Sequence, residues 1–411
     1  MKQGINRRVV NKVVLRVSQV LLFVVFWVMS YSIVKAFEQD QRAISVLQYH
    51  HVSDETPFLT SIKPQDFEAH LDYLVQNDFE VISLSAFIEQ LQSQTIKPQK
   101  TAVITFDDAY RSIHDIAWPM LKQRNMPFVV FVNTKAVEQK LKHSMTWDQM
   151  RAMANEGVEF ANHTETHVHL IRSLEGESQQ AWLARIRSEI EGAEAKIQQE
   201  LGQSHKALAY PFGEYNPEVK SLLKEMGFVG FAQHSGAAGV MTDLQAIPRF
   251  PFGGYYTSLD DFKTKVNALA LPVSNVQMGD AVGLLKDNVE SPSEQVPAQI
   301  DVPEMTELPE MNKLGWLYSH QSAQPSAYFE LNLTKAQGRQ IACYASGQGR
   351  VPLALVGKEP EFHGFLVETE KLAPVGRSRF NCTLPSQWRG RFYWFSQPVI
   401  RLAEKDQWYP E

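Results

Sequence analysis

Short apolar runs separated by longer amphipathic stretches mark the first two thirds of this 411-residue chain. Ile44–Gln48, Glu80–Leu84, Thr101–Phe106, Pro127–Val132, Glu159–Ala161, Ala207–Ala209 and Gly230–Ala232 read as seven short strands. Between the fifth and sixth, Leu183, Ile186, Ile190, Ile197 and Leu201 recur at helical spacing with charges on the opposite face, which predicts an amphipathic helix. Strands alternating with helices favour an α/β barrel over a doubly wound open sheet, and residues 43–270 suit one such domain. From residue 272 the pattern changes. Residues 272–311 read as a linker, with Asn288, Ser291, Pro292, Ser293, Pro297, Pro303 and Pro309 in its exposed part. In residues 312–411, Tyr328–Leu333, Gln340–Tyr344, Val351–Val356, Gly364–Val367 and Arg391–Phe395 predict a small all-β, sandwich-like domain.

Residues 1–36 carry six basic residues and no acidic one around an apolar stretch from Val20 to Val34. Such a segment is a Sec-type signal peptide or an uncleaved membrane anchor. Val34-Lys35-Ala36 fits the small-residue cleavage rule, whereas the apolar core counted from Val17 reaches 18 residues, near the length of a membrane span. The expectation is an inner-membrane anchor facing the periplasm, or a secreted or periplasmic protein if the signal is cleaved. Without this segment 34 basic residues stand against 46 acidic ones, a formal charge of −12. A surface of that sign repels phosphate backbones and argues against a nucleic-acid partner. Both cysteines, Cys343 and Cys382, fall in the C-terminal domain. In an oxidising compartment a bridge between them would close a loop of about 40 residues and contribute about 4 kcal/mol; two buried free thiols are the alternative.

Three segments carry candidate chemistry. Thr105-Phe106-Asp107-Asp108 ends an apolar run and places adjacent carboxylates at the C-terminal tip of a buried strand, where α/β folds keep their chemistry. His163-Thr164-Glu165-Thr166-His167 offers two imidazoles four residues apart. On a helical turn they would share one face, so that both and one carboxylate could hold a divalent ion with a position left open. Tyr210-Pro211-Phe212-Gly213 is a turn in which Pro fixes φ and Gly supplies the reversal. A metalloprotease helix is excluded, because Thr164 rather than Glu follows the first His.

In this order the segments resemble the NodB-type polysaccharide deacetylases, carbohydrate esterase family 4, and within them the branch acting on poly-N-acetylglucosamine. Tyr49-His50-His51, Asn162 and Leu170 support the resemblance, which spans roughly residues 43–270. It implies a distorted (β/α)7-type barrel. It also implies that Asp108 joins His163 and His167 as metal ligand, that Asp107 is the general base, and that the backbone N–H of Tyr210 faces the oxyanion beside Pro211 and Phe212. Two departures stand out: Ala109 replaces the usual Gly after the aspartates, and Ala209 replaces an Arg that pairs with the catalytic Asp. Arg249, in Ile247-Pro248-Arg249-Phe250-Pro251, resembles a fourth-motif arginine and is the candidate orienter of Asp107. The usual Leu-x-His is absent, leaving His234 and His50 as candidate general acids.

The implied activity is an exported, metal-dependent N-deacetylase acting on an N-acetylhexosamine polysaccharide. The alternatives are an O-acetyl esterase of the same fold and a catalytically silent carbohydrate-binding protein. Two imidazoles and a carboxylate accept zinc first, with nickel or cobalt as substitutes. Expected partners are the acetylated polysaccharide, the membrane through the N-terminal segment, and exopolysaccharide export machinery. Trp388, Tyr393, Trp394 and Phe395 are either a sugar-stacking platform or core.

Overall fold

The computed structural model describes residues 42–97, 99–279, 326–334, 338–356, 361–367 and 376–401. Eight parallel strands build the first domain: β1 (Ile44–Tyr49), β2 (Glu80–Val81), β3 (Thr101–Phe106), β4 (Val129–Val132), β5 (Glu159–Asn162), β6 (Ala207–Ala209), β7 (Val229–Phe231) and β8 (Phe250–Pro251). Their order is β8-β1-β3-β4-β5-β6-β7, with β2 paired to β3 off that path. The sheet curls into a distorted barrel. Residues 247–251 join its two edges, Ile247 bridging to Phe231 of β7 while Phe250 pairs with Leu47 of β1.

Both faces of this sheet are buried. Leu47, Tyr49, Ile104, Phe106, Val130 and Val132 enter one apolar cluster, and their neighbours Ile44, Val46, Val103, Val129 and Phe131 enter another. That is why the strands read as unbroken apolar runs rather than alternating ones. The expected amphipathic helix is Gln179–Leu201, started by the Ser178 side chain and ended at Gly202 in a left-handed conformation. Trp182, Ile186, Ile190 and Ile197 form its buried stripe.

β8 was not expected, because two residues with a proline carry no periodic signal. Residues 82–84, expected as strand, leave it after Val81, and Ser83 caps a helix from Leu84.

The C-terminal part holds two sheets. One has the order β9 (Leu269–Ala270), β17 (Phe392–Arg401), β16 (Gly376–Pro385), β12 (Ala342–Ala345), β13 (Gly349–Val351). The other runs β10 (Ser274–Gly279), β11 (Ser326–Thr334), β15 (Glu361–Val367), β14 (Leu353–Val356). Phe329 of β11 packs against Phe395 of β17 at 5.3 Å, so the sheets face each other. The run Val351–Val356 divides at Pro352, which has no N–H to donate to a ladder. The expected linker opens with a strand, β10, and residues 280–325 lie outside the described residues. Cys343 and Cys382 oppose each other on β12 and β16 and are disulfide-bonded. Trp394 and Phe395 pack against neighbours, Trp394 meeting Phe250 at 5.5 Å edge to face, while both remain partly exposed. Among the described residues no helix is long and apolar enough to cross a membrane, and the expected anchor in residues 1–36 lies outside them.

Candidate active site

Most of the candidate residues converge at one end of the barrel because they follow the C-terminal ends of parallel strands. His50 follows β1, Asp107 and Asp108 follow β3, His163 follows β5 and Tyr210 follows β6. Arg249 precedes β8 in the segment that closes the barrel. This is the end at which parallel sheets gather their sites.

Asp108, His163 and His167 place their ligand atoms within 4.8 Å of one another, a set that could hold a metal ion. Asp108 Oδ1 is 3.4 Å from His163 Nε2 and 3.5 Å from His167 Nε2. His163 Nδ1 donates to Ala209 O at 2.8 Å, which fixes the tautomer and leaves Nε2 free to ligate. Burial opposes charge on both partners, yet the contact with His163 holds the Asp108 carboxyl below its ordinary range and Asp108 raises His163. Burial and the neighbouring His163 bring His167 down to about 4, the neutral form that binds metals. An aspartate kept ionised beside imidazoles with Nε2 turned inward fits a divalent cation in place of a proton.

The helical-turn expectation for the two histidines fails. Residues 163–167 are a loop, with Thr164 at φ 65° and His167 at φ 58°. Asn162 builds that loop: its Oδ1 accepts from Thr164 N at 2.8 Å, and Thr164 Oγ1 accepts from His167 N at 3.0 Å. Asp108 (φ 69°), Ala109 (φ 49°) and Phe212 (φ 58°) are also left-handed. Non-glycine residues in this region cluster at functional sites, where the surrounding fold over-determines them. At Ala109 the left-handed backbone that would be strained for a residue with a side chain is present.

Asp107 is fully buried and is held differently from its neighbour. Arg249, equally buried, donates from Nη1 to Oδ1 at 2.7 Å and from Nη2 to Oδ2 at 2.8 Å. Gln48 Nε2 donates to Oδ2 at 2.7 Å, and His50 Nε2 lies 3.9 Å from the same oxygen. Burial alone would raise this carboxyl, but Arg249 and His163 bring it to about 2. Arg249 is itself tied to Ala232 O at 2.8 Å and Thr105 Oγ1 at 3.2 Å.

The two candidate acids separate. His50 belongs to the electrostatic surroundings of Asp107, Asp108 and His167. His234 turns toward Tyr215, whose OH is 3.3 Å from its Nδ1, and burial lowers it to about 3. The Tyr210 N–H, expected to face an oxyanion, donates instead to Phe231 O at 3.0 Å in the sheet. Pro211 is buried, and the Phe212 ring lies across His167 at 4.5 Å and stacks on His169 at 3.8 Å.

Sequence reasoning missed Gln48 and Tyr110. A Gln inside the apolar run of β1 was the available signal for the first, since buried polar side chains need partners. Tyr110 bonds Asp108 and stacks on His51 with ring centroids 3.6 Å apart.

Residues 94–231 match the polysaccharide deacetylase family. The chain carries a polysaccharide deacetylase domain. That places the protein among the hydrolases. Its deacetylase domain is 24% identical over 255 residues to the poly-β-1,6-N-acetyl-D-glucosamine N-deacetylase of Staphylococcus epidermidis, covering 56% of this chain and 85% of that protein. It is 26% identical over 226 residues to YxkH of Bacillus subtilis, whose name assigns it provisionally to the polysaccharide deacetylases, covering 53% of this chain and 77% of that one. The Streptococcus pyogenes deacetylase PplD, solved in complex with acetate, shares the fold with a TM-score of 0.50 at 21% identity, over 55% of this chain and 98% of that one.

Proposed function

We propose that the protein is an exported, metal-dependent N-deacetylase of an N-acetylhexosamine polysaccharide resembling poly-N-acetylglucosamine. The observation that carries this reading is the pairing of a ligand triplet, Asp108, His163 and His167, with a separate carboxylate, Asp107, clamped by Arg249 and Gln48. A binding protein has no need of that second, buried charge.

A divalent ion in the triplet, zinc by its donor set, would polarise the acetyl carbonyl and acidify the attacking water. Asp107 takes a proton from that water at Oδ2, while Arg249 stabilises its ionised form and fixes its orientation. His50, 20% exposed and 3.9 Å from Oδ2, hands a proton to the leaving nitrogen. Water and amide thereby become acetate and amine. Phe212 shapes the wall against which the acetyl group docks. The basic apolar segment in residues 1–36 and the Cys343–Cys382 disulfide support a location outside the cytoplasm.

The test is acetate release by the full-length chain from β-1,6 and β-1,4 N-acetylglucosamine oligomers, after chelation and with zinc restored. Zinc-dependent release that Asp107→Asn lowers by about 10³-fold is expected. Release from O-acetylated but not N-acetylated oligomers would replace the reading with an esterase. Zinc binding without release from either would leave a carbohydrate-binding protein.

A further inference from the structure

Arg377 and Arg379 stand two residues apart on β16, on the face opposite buried Ser378 and Phe380. Both reach toward the deacetylase domain. Arg377 Nη1 donates to Gln233 Oε1 at 3.3 Å, joining positions 144 residues apart. With Gly213, Gln233, Pro251 and Ser346 the two arginines line a cavity of about 310 Å³ between the sheets and the barrel. Its floor is set by Gly213, at φ 68°: a Cβ there would lie 2.5 Å from Gln233 Cβ. Gly213 directly follows Phe212, whose ring meets His167, so the cavity begins one residue from the ligand triplet.

The charge of this flank opposes that of the whole protein, which is −6. Glu214 accepts from Arg172 at 3.3 Å and pairs with His169 at 2.7 Å, and it is the carboxylate whose field reaches Arg377. Against it stand three guanidiniums, Arg172, Arg377 and Arg379. His234, also at the cavity, is neutral at pH 7 because burial lowers it to about 3.

We propose that this cavity is a subsite for the sugar unit next to the one undergoing reaction, accepting an N-acetylated hexosamine and rejecting a deacetylated one. The proposal rests on the deacetylase reading above. An acetamido carbonyl accepts hydrogen bonds from guanidinium N–H groups, whereas the ammonium group that replaces it in a deacetylated unit brings only donors and a like charge. Discrimination then comes from repulsion as much as attraction, and it gives the C-terminal sheet a part in the reaction. The product would be a partly deacetylated chain in which each free amine forms beside a unit still acetylated on the side that the cavity holds.

The test compares the full-length wild type with Arg377→Gln/Arg379→Gln and with Arg377→Lys/Arg379→Lys, on an N-acetylglucosamine hexamer. Products are sequenced by mass spectrometry at equal total acetate release. Second deacetylations confined to one side of the first free amine in the wild type and the Lys pair, and falling on either side of it in the Gln pair, are expected. The same pattern from all three overturns the subsite.

A binding arm keeps the proposal separate from the deacetylase reading. The affinity of each protein is measured for fully acetylated and fully deacetylated hexamers. A preference of about tenfold for the acetylated chain, lost in the Gln pair, is expected, and corresponds to about 1.4 kcal/mol. If the wild type releases no acetate the deacetylase reading falls, and the binding arm alone decides the subsite. Equal affinities in the wild type, or a preference unchanged in the Gln pair, overturn it.

Discussion

The barrel and the C-terminal sheets are both β-rich, yet they bury different things. The barrel domain encloses Asp107, Arg249, Gln48, Asn162, His163 and His70, each hydrogen-bonded to a named partner, although Gln48 Oε1 is buried without one. Among the described residues of the C-terminal sheets, the buried polar side chains are Ser378 and Ser396. Polar burial is costly unless paired, so a domain that accumulates it does so where chemistry needs charge in a dry place. The sandwich relies instead on apolar alternation and one covalent link. Single substitutions should therefore act through electrostatics in the first domain and through packing and chain entropy in the second.

Arg249→Ala gives the widest separation. It leaves Asp107 buried and unpaired, and should cost about 3–5 kcal/mol in urea unfolding as well as stop acetate release. Ser378→Ala removes only a bond to Val399 O at 3.3 Å and should cost about 1 kcal/mol. Similar losses from the two would erase the distinction.

The converse substitution lies in the sandwich. Cys343→Ala/Cys382→Ala should lower stability of the C-terminal sheets by up to about 4 kcal/mol, the loop-closure value for about 40 residues. The barrel's own unfolding transition should move little, which domain-resolved hydrogen exchange would read.

Acid should act on the barrel. His70 is fully buried between Tyr49 OH at 3.1 Å and Thr257 O at 3.0 Å, and burial lowers its pKa from 6.5 to about 4. The unfolded chain therefore binds a proton that the native protein refuses, so stability is complete above pH 6.5 and falls as pH drops toward 4. The loss is about 3 kcal/mol, and His70→Asn should flatten the slope of urea midpoints between pH 7 and 4.5.

The smallest effect concerns Ala109, at φ 49°. Ala109→Gly relieves a left-handed alanine but frees the unfolded chain, for a net gain of about 1 kcal/mol or less in thermal unfolding. A loss would show that the Ala109 methyl group matters more to packing than its backbone does to strain.

How much was legible in sequence follows the same division. Long runs buried on both faces, such as Thr101–Phe106, declare themselves by apolar content, and the residues that end them were found with them. The arginine at 249 was found by its motif, but the strand beside it was not, since tertiary pairing rather than propensity makes Phe250–Pro251 a strand. The histidine loop was misread as a helical turn because four-residue spacing carries no information about left-handed residues at Thr164 and His167. In the sandwich, β16 was overlooked although Phe380, Cys382 and Leu384 alternate inward, a weak signal diluted by five polar residues. Gln48 was missed because its partner lies 59 positions away.

The closing segment of the barrel also sets a timetable. Asp107 and its counter-ion Arg249 are separated by 142 residues, and Arg249 rides on the piece of chain that joins β1 to β7. A ribosome releases Asp107 long before Arg249, and contacts of such separation form late. Until residue 251 has emerged and docked, the carboxylate has no guanidinium to keep it ionised in a dry core. Hydrolytic competence is thus a readout of completed folding, and fragments ending at residue 231 should be inert.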